Sequence, residues 1–202
     1  MEKGTIIKIG IVLVAIISCI IVVLTYNKKT DDGMLKGKHY VEITVKNYGK
    51  IKLELDADKA PITVTNFIKL VKDKFYDGLT FHRIIDGFMI QGGGYTKDGS
   101  RKVADKIKGE FSRNGIENDI SHKRGVISMG RTSTDYNSAS SQFFIVHKDY
   151  PSLDGNYAAF GHVISGMEVV DKIVSDSNPI DNNGSININE RPIIESIRVV
   201  KK

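Results

Sequence analysis

The chain is poor in the groups on which many chemistries rest. Its one cysteine, Cys19, lies inside an apolar run near the N-terminus, so the remainder has no thiol nucleophile and can form no internal disulfide. The five histidines show no zinc-type spacing. Charge of one sign is also scarce. Of the formal net charge of +5, Lys3, Lys8, Lys28 and Lys29 against Glu2 account for +3, leaving the rest close to balance. A nucleic-acid-binding surface needs Lys and Arg gathered on one face, so nucleic acid is not an expected partner. Internal repeats and low-complexity tracts are absent. Gly92-Gly93-Gly94 lacks the following Lys and Ser of a phosphate loop, and close backbone packing is the simpler reading. Asp181, Asn183, Gly184 and Glu190 fit part of a calcium loop, but Pro179 occupies its first ligand position and no helix pair flanks it. No metal and no cofactor is expected.

Long apolar runs occur once. The 18 residues from Ile9 to Tyr26 carry no charge, enough for a helix of about 27 Å, close to the hydrocarbon thickness of a bilayer. Residues 1–27 are therefore expected to be a membrane anchor or a lipoprotein-type signal. A cleaved secretory signal has a shorter apolar region and small residues before the cut, whereas this run ends Val-Leu-Thr-Tyr-Asn. Ile16-Ile17-Ser18-Cys19 resembles a lipobox, in which Cys19 would be lipidated; against this, Ile20 to Leu24 continue the apolar run, and a buried cysteine in a spanning helix also accounts for it. Lysines on both flanks leave the positive-inside rule nearly tied. By analogy with signal sequences, the domain is placed on the extracytoplasmic face of the cell membrane. Residues 28–38 read as a polar tether.

Residues 39–202 are long enough for one domain. Val41, Ile43 and Val45 alternate, as do Ile51, Leu53 and Leu55 across Asn47-Tyr48-Gly49, predicting a hairpin. Pro61 suits a first helical position, and Val64, Phe67, Ile68, Val71 and Phe75 follow at helical spacing until Gly78. Short apolar runs at 79–85, 88–91, 126–129, 142–146, 157–163 and 193–200 read as strands, and Ser165-Gly166-Met167-Glu168 as a capping box opening a second helix. Many short strands with two helices predict a mainly β, closed antiparallel barrel, since closure removes exposed edges. The stretch from Gly94 to Lys123 is long for a loop, as functional or partly structured loops are.

Phe81 to Ile85 and Phe88 to Gly93 are strands across an Asp86-Gly87 turn, and their alternation gives one face to Arg83. Taken alone, Arg83 could be a surface cation whose stem covers apolar neighbours. The run from Phe81 to Gly93, however, resembles the signature of the cyclophilins. The resemblance continues through Gly125 to Arg131, Ser140 to Ile145, Leu153-Asp154-Gly155 and Phe160-Gly161 in the family's order, covering about Val41 to Val200. It implies an eight-stranded barrel with two helices and a peptidyl-prolyl cis-trans isomerase acting on proline-containing polypeptides; the chain is expected to be a monomer, and a domain outside the membrane suits the folding of exported or surface proteins. The resemblance also implies residue roles: Arg83 catalytic; Phe88, Met89, Phe144 and Leu153 lining a proline pocket; Gln91 and Gln142 bonding the substrate backbone; His82 and Gly130 shaping the groove. Tyr157 and Arg131 replace residues frequent in eukaryotic members and bear on peptide preference. Ser152 stands where the family often has tryptophan, which puts tight cyclosporin binding in doubt. The competing reading is a non-catalytic chaperone module that grips proline segments without turning them over.

Overall fold

The alternation of apolar residues between 39 and 55 builds the hairpin it predicts. β1 (Lys38–Val45) and β2 (Gly49–Asp56) pair antiparallel, with Val41 opposite Leu53 and Ile43 opposite Ile51. Side chains alternate between faces along a strand, so Val41, Ile43, Val45, Ile51, Leu53 and Leu55 all turn to one side and are buried. The structure, a computed structural model, describes residues 33–202; the apolar run, Cys19 and most of the first half of the tether lie outside the described residues. No helix among the described residues is long and apolar enough to cross a membrane. From Leu35 onward the polar stretch before β1 is held by the domain. Leu35 packs on the core and donates its N–H to Thr65 Oγ1 at 2.8 Å, and Gly37 donates to Asp58 Oδ1 at 2.8 Å.

Helix α1 (Pro61–Lys72) begins with proline, whose missing N–H is one the first turn does not use. Its first turn has no acidic residue of its own; the carboxylate of Glu110, buried and distant in sequence, accepts from Ile62 N (2.9 Å), Thr63 N (2.7 Å) and Thr63 Oγ1 (2.6 Å). A negative group there satisfies orphan donors and complements the helix dipole. The helix ends at Lys72, short of the predicted Gly78, because Lys74 takes a left-handed conformation (φ 54°). Phe67 meets Tyr76, Phe143 and Phe160 with ring centroids 5.1, 5.6 and 5.2 Å apart, joining α1 to the sheet.

The remaining strands are β3 (Leu79–Ile85), β4 (Met89–Thr96), β5 (Val126–Met129), β6 (Phe143–Val146), β7 (Ala159–Ser165) and β8 (Ile194–Val200), in sheet order β3-β4-β6-β5-β7-β2-β1-β8 with antiparallel ladders. This corrects the expected closed barrel: the eight-stranded sheet is open. Its edge strands β3 and β8 share no ladder, and the isolated bridge Thr80–Ile193 is the nearest substitute. Pro192 precedes that point and has no N–H to continue a ladder. The outer edge of β3 is covered by irregular chain instead: Ile84 N–H bonds Gly184 O at 2.8 Å and Ile186 N–H bonds His82 O at 3.0 Å.

Helix α2 (Met167–Asp176) also departs from expectation. The capping box does not form; the N-cap is Gly166 in a left-handed conformation (φ 94°), with no side-chain cap bond. A Cβ at that position would run into the carbonyl of Lys50, so glycine is required by the close approach of β2. The 94–123 stretch carries a short 3₁₀ turn, Ser112–Asn114, and is fixed by side-chain bonds such as Asn118 Nδ2 to Glu110 O (2.9 Å) and Ala159 O (2.8 Å).

Candidate active site

Cross-strand register lays out one face of the sheet. Arg83 on β3 faces Gln91 on β4, Gln91 faces Phe144 on β6, and Phe144 faces Ser128 on β5. Residues directly opposite share a face, so the hairpin signature and the Gln-Phe-Phe segment are brought side by side. A hollow of about 120 Å³ opens there, lined by Arg83, Phe88, Met89, Gln91, Gly130, Arg131, Phe144, Leu153 and Tyr157. Its floor is apolar, since Met89, Phe144 and Leu153 are buried.

Arg83 is half-buried at the rim. Its Nε donates to Asn183 O at 2.6 Å, while Nη1 lies 3.4 Å from Gln91 Oε1 and 3.7 Å from Met89 Sδ. Its Cζ sits 5.7 Å from the centroid of the Phe88 ring. Burial draws the guanidinium's pKa downward, opposed by Tyr157 and Asp181; it stays cationic at neutral pH. The carbonyl that holds it belongs to a tight turn in which Asp181 Oδ1 accepts from Asn183 N and Ser185 N, both at 2.9 Å. Gly184 in that turn has φ 82°, and a Cβ would come within 2.7 Å of Ile84 O. The residues resembling part of a calcium loop thus serve as the rest for Arg83.

A chain of bonds fixes the two glutamines. Because Arg83 can only donate, Gln91 turns Oε1 toward it and gives Nε2 to Gln142 Oε1 at 2.9 Å; this leaves the Gln142 amide N–H₂ free to donate elsewhere. Gly94 makes room, since a Cβ there would lie 2.6 Å from Gln142 Cγ. Gln142 lines an adjoining hollow of about 130 Å³ that shares Gln91, Gly130 and Arg131 with the first.

Behind the floor, His122 stacks on Phe144 with centroids 6.0 Å apart and planes 19° apart, and Tyr157 meets the same ring edge-on at 5.8 Å. Of the residues expected at the site, Arg83, Phe88, Met89, Gln91, Gly130, Phe144, Leu153 and Tyr157 line the hollow and Gln142 borders it. His82 does not join them. As the neighbour of Arg83 on a strand it points to the opposite face, where its ring meets that of Tyr95 at 4.7 Å with the planes tilted by 59°. Sequence reasoning missed Asn183, which holds Arg83, and the backing role of His122. It also named Arg131 without its setting: Cζ lies 4.6, 4.8 and 5.3 Å from the rings of Tyr157, Tyr136 and Phe111. A cation held over aromatic faces was not readable from spacing.

Such an arrangement can hold a small apolar ring against a greasy floor with a guanidinium at its edge and amide donors alongside. Among the described residues that line the hollow there is no serine, threonine, cysteine or lysine. The comparisons agree with that chemistry. Residues 40–200 match the family described as cyclophilin type peptidyl-prolyl cis-trans isomerase/CLD. The chain is 43% identical over 161 residues to peptidyl-prolyl cis-trans isomerase A of Dickeya dadantii, covering 76% of this chain and 81% of that one. It is 41% identical over 135 residues to peptidyl-prolyl cis-trans isomerase B of Escherichia coli, covering 63% of this chain and 79% of that one. A Cryptosporidium parvum cyclophilin type peptidyl-prolyl cis-trans isomerase, crystallised in the presence of the dipeptide Ala-Pro, superposes with a TM-score of 0.66 at 29% identity, covering 81% of this chain and 99% of that one.

Proposed function

The chain belongs to the cyclophilin-type peptidyl-prolyl cis-trans isomerases, and on that premise we propose that Arg83 carries its catalysis of Xaa-Pro bond rotation. An Xaa-Pro amide resists rotation because the nitrogen lone pair is delocalised into the carbonyl; the barrier is about 20 kcal/mol and unaided isomerisation takes tens of seconds. Twisting the bond pyramidalises the nitrogen and localises that pair. A guanidinium beside the prolyl nitrogen can donate to the localised pair and only weakly to the planar end states, so it stabilises the transition state selectively. Raising the rate to about 100 per second needs roughly 5 kcal/mol. A charge-assisted hydrogen bond in a water-poor hollow, with the flanking peptide anchored, supplies that order of energy. The prolyl ring would sit against Met89, Phe144 and Leu153, with Phe88 as a side wall, while Gln91 and Gln142 address the peptide backbone.

The observation that carries this reading is the position of Arg83: pinned through Nε to Asn183 O, with Nη1 set beside Gln91 and Met89, two residues that line the hollow. A protease-coupled isomerisation assay on a short Xaa-Pro peptide tests it. Arg83→Ala at the wild-type rate would reject the mechanism.

The second part of the proposal is cellular. The uncharged run from Ile9 to Tyr26 holds the domain at the extracytoplasmic face of the membrane, where a monomeric isomerase serves the folding of exported chains. Its support is the length of that run. Membrane fractionation with mass determination of the peptide containing Cys19 separates a spanning helix from a lipid anchor, and recovery of the full chain in the soluble fraction would overturn both.

A further inference from the structure

Tyr150 is 40% exposed, one of a small set of large apolar side chains at the surface among the described residues, and its ring lies 4.3 Å from that of Phe88, tilted by 41°. Phe88 in turn has the Arg83 guanidinium 5.7 Å from its centroid. Arg83, Phe88 and Tyr150 therefore form one connected wall that begins in the hollow and runs out of it. Tyr150 is also held in place. Its N–H bonds His122 O at 2.9 Å, and its carbonyl accepts from Leu153 N at 3.2 Å across a 3₁₀ turn, Pro151–Leu153, opened by proline. The far end of that turn, Leu153, lines the hollow, so the turn that closes the pocket also presents the tyrosine. The same turn places the small Ser152 between them, leaving Tyr150 as its aromatic group.

We propose that Tyr150 is a specificity-determining residue that contacts substrate: its exposed ring receives an apolar or aromatic side chain flanking the proline. The position of the ring selects the side. Phe88 and Gln91 lie at opposite ends of the stretch of chain along the hollow, and Gln142 borders the Gln91 end. Tyr150 therefore reads the residue on the other side of the proline from the segment held by Gln142. A rigid, amphipathic ring packed against a second ring offers contact area at small entropic cost. This inference rests on the proposed isomerase site.

The test uses two series of Xaa-Pro peptides, varying the residue before or after the proline-containing pair through Gly, Glu, Leu and Phe, with the wild-type protein, Tyr150→Ala and Tyr150→Phe. Turnover is read as kcat and KM separately, and binding as Kd by calorimetry. In one series, wild type favours Phe and Leu over Gly; Tyr150→Ala shrinks that ratio by about 3- to 10-fold through KM, and Tyr150→Phe retains it. Thermal unfolding of each variant confirms that it folds. An unchanged ratio in folded Tyr150→Ala, or equal loss for all peptides in both series, overturns the proposal. If the wild type turns over no peptide, the isomerase reading fails by itself, and the Kd ratios still decide the role of Tyr150; no selective binding by wild type overturns it too.

Discussion

His122 joins Asp154 to the floor of the hollow: its Nδ1 lies 2.8 Å from Asp154 Oδ1 and its Nε2 3.0 Å from Ser128 Oγ, with the ring 1% exposed. Burial lowers the histidine's pKa, against the opposing pull of Asp154, so the ring is neutral at pH 7. A carboxylate only accepts, which assigns the proton to Nδ1 and makes Nε2 the acceptor of the Ser128 hydroxyl. Asp154 adjoins Leu153 and His122 backs Phe144, so one imidazole braces two walls of the pocket.

Replacing it with phenylalanine leaves Ser128 and part of Asp154 without their partner. The expected loss is about 2–4 kcal/mol of unfolding free energy, from denaturant titration, together with a raised KM. A His122→Phe variant as stable as wild type, with unchanged KM, would show that the brace carries no weight.

Arg83→Lys is expected to behave almost as Arg83→Ala. An ammonium cannot bond Asn183 O through one nitrogen while presenting others along the rim. Loss of a charged transition-state donor predicts a fall in kcat of roughly 10²- to 10³-fold. Circular dichroism and Tm should remain near wild type, since Arg83 lies at the rim of the fold. Retention of more than about a third of wild-type kcat by the lysine variant contradicts this geometry of catalysis.

Acid should weaken the fold through His82. Burial, with Arg191 and Arg83 nearby, lowers its pKa from 6.5 to about 4. Between those values the unfolded chain binds a proton that the folded chain does not, so stability is fully present above about pH 6.5 and declines as pH falls toward 4. A tenfold difference in proton affinity between the folded and unfolded chain is worth about 1.4 kcal/mol, so the loss across that pH window amounts to a few kcal/mol. Urea titrations from pH 7.5 to 4 should find a shallower decline in His82→Gln than in wild type. Parallel curves would remove His82 as the source.

Gly94→Ala separates binding from folding. The added methyl meets Gln142, a flexible side chain, rather than backbone, so the glutamine swings aside at small structural cost. A rise in KM of about 3- to 10-fold with unfolding free energy within about 0.5 kcal/mol of wild type is expected. Gly93→Ala is the contrast: with φ 83° and a Cβ 2.8 Å from Ser141 O, it should lower stability itself.

How far the sequence discloses all this depends on the range of each interaction. Strands β1 and β2 were readable because alternation is local and both bury one face. Phe88, Met89, Gln91 and Phe144 were singled out through the resemblance of short contiguous motifs to a known family, and the register of β4 and β6 sets them along one hollow. Glu110 capping α1 and Asn183 holding Arg83 were not readable, because each is a contact between segments far apart in the chain; Glu110 lies in a stretch without periodicity, and Asn183 drew notice only as part of an incomplete calcium loop. The expected capping box failed for a related reason. Ser165 and Glu168 have the right spacing, yet packing of Gly166 against Lys50 decided where the helix begins. Closure of the barrel failed because the strand count alone says nothing of what lies beside the last edge.

That edge has a consequence for robustness. The turn at 181–186 both shields the outer rim of β3 and supplies the carbonyl on which Arg83 rests. Damage there, whether a nick by a protease or an inserted loop, would silence the enzyme and bare a row of peptide groups for pairing with other chains in one event. Inactive molecules of this kind would also be the ones prone to clump, so loss of turnover and loss of solubility should travel together.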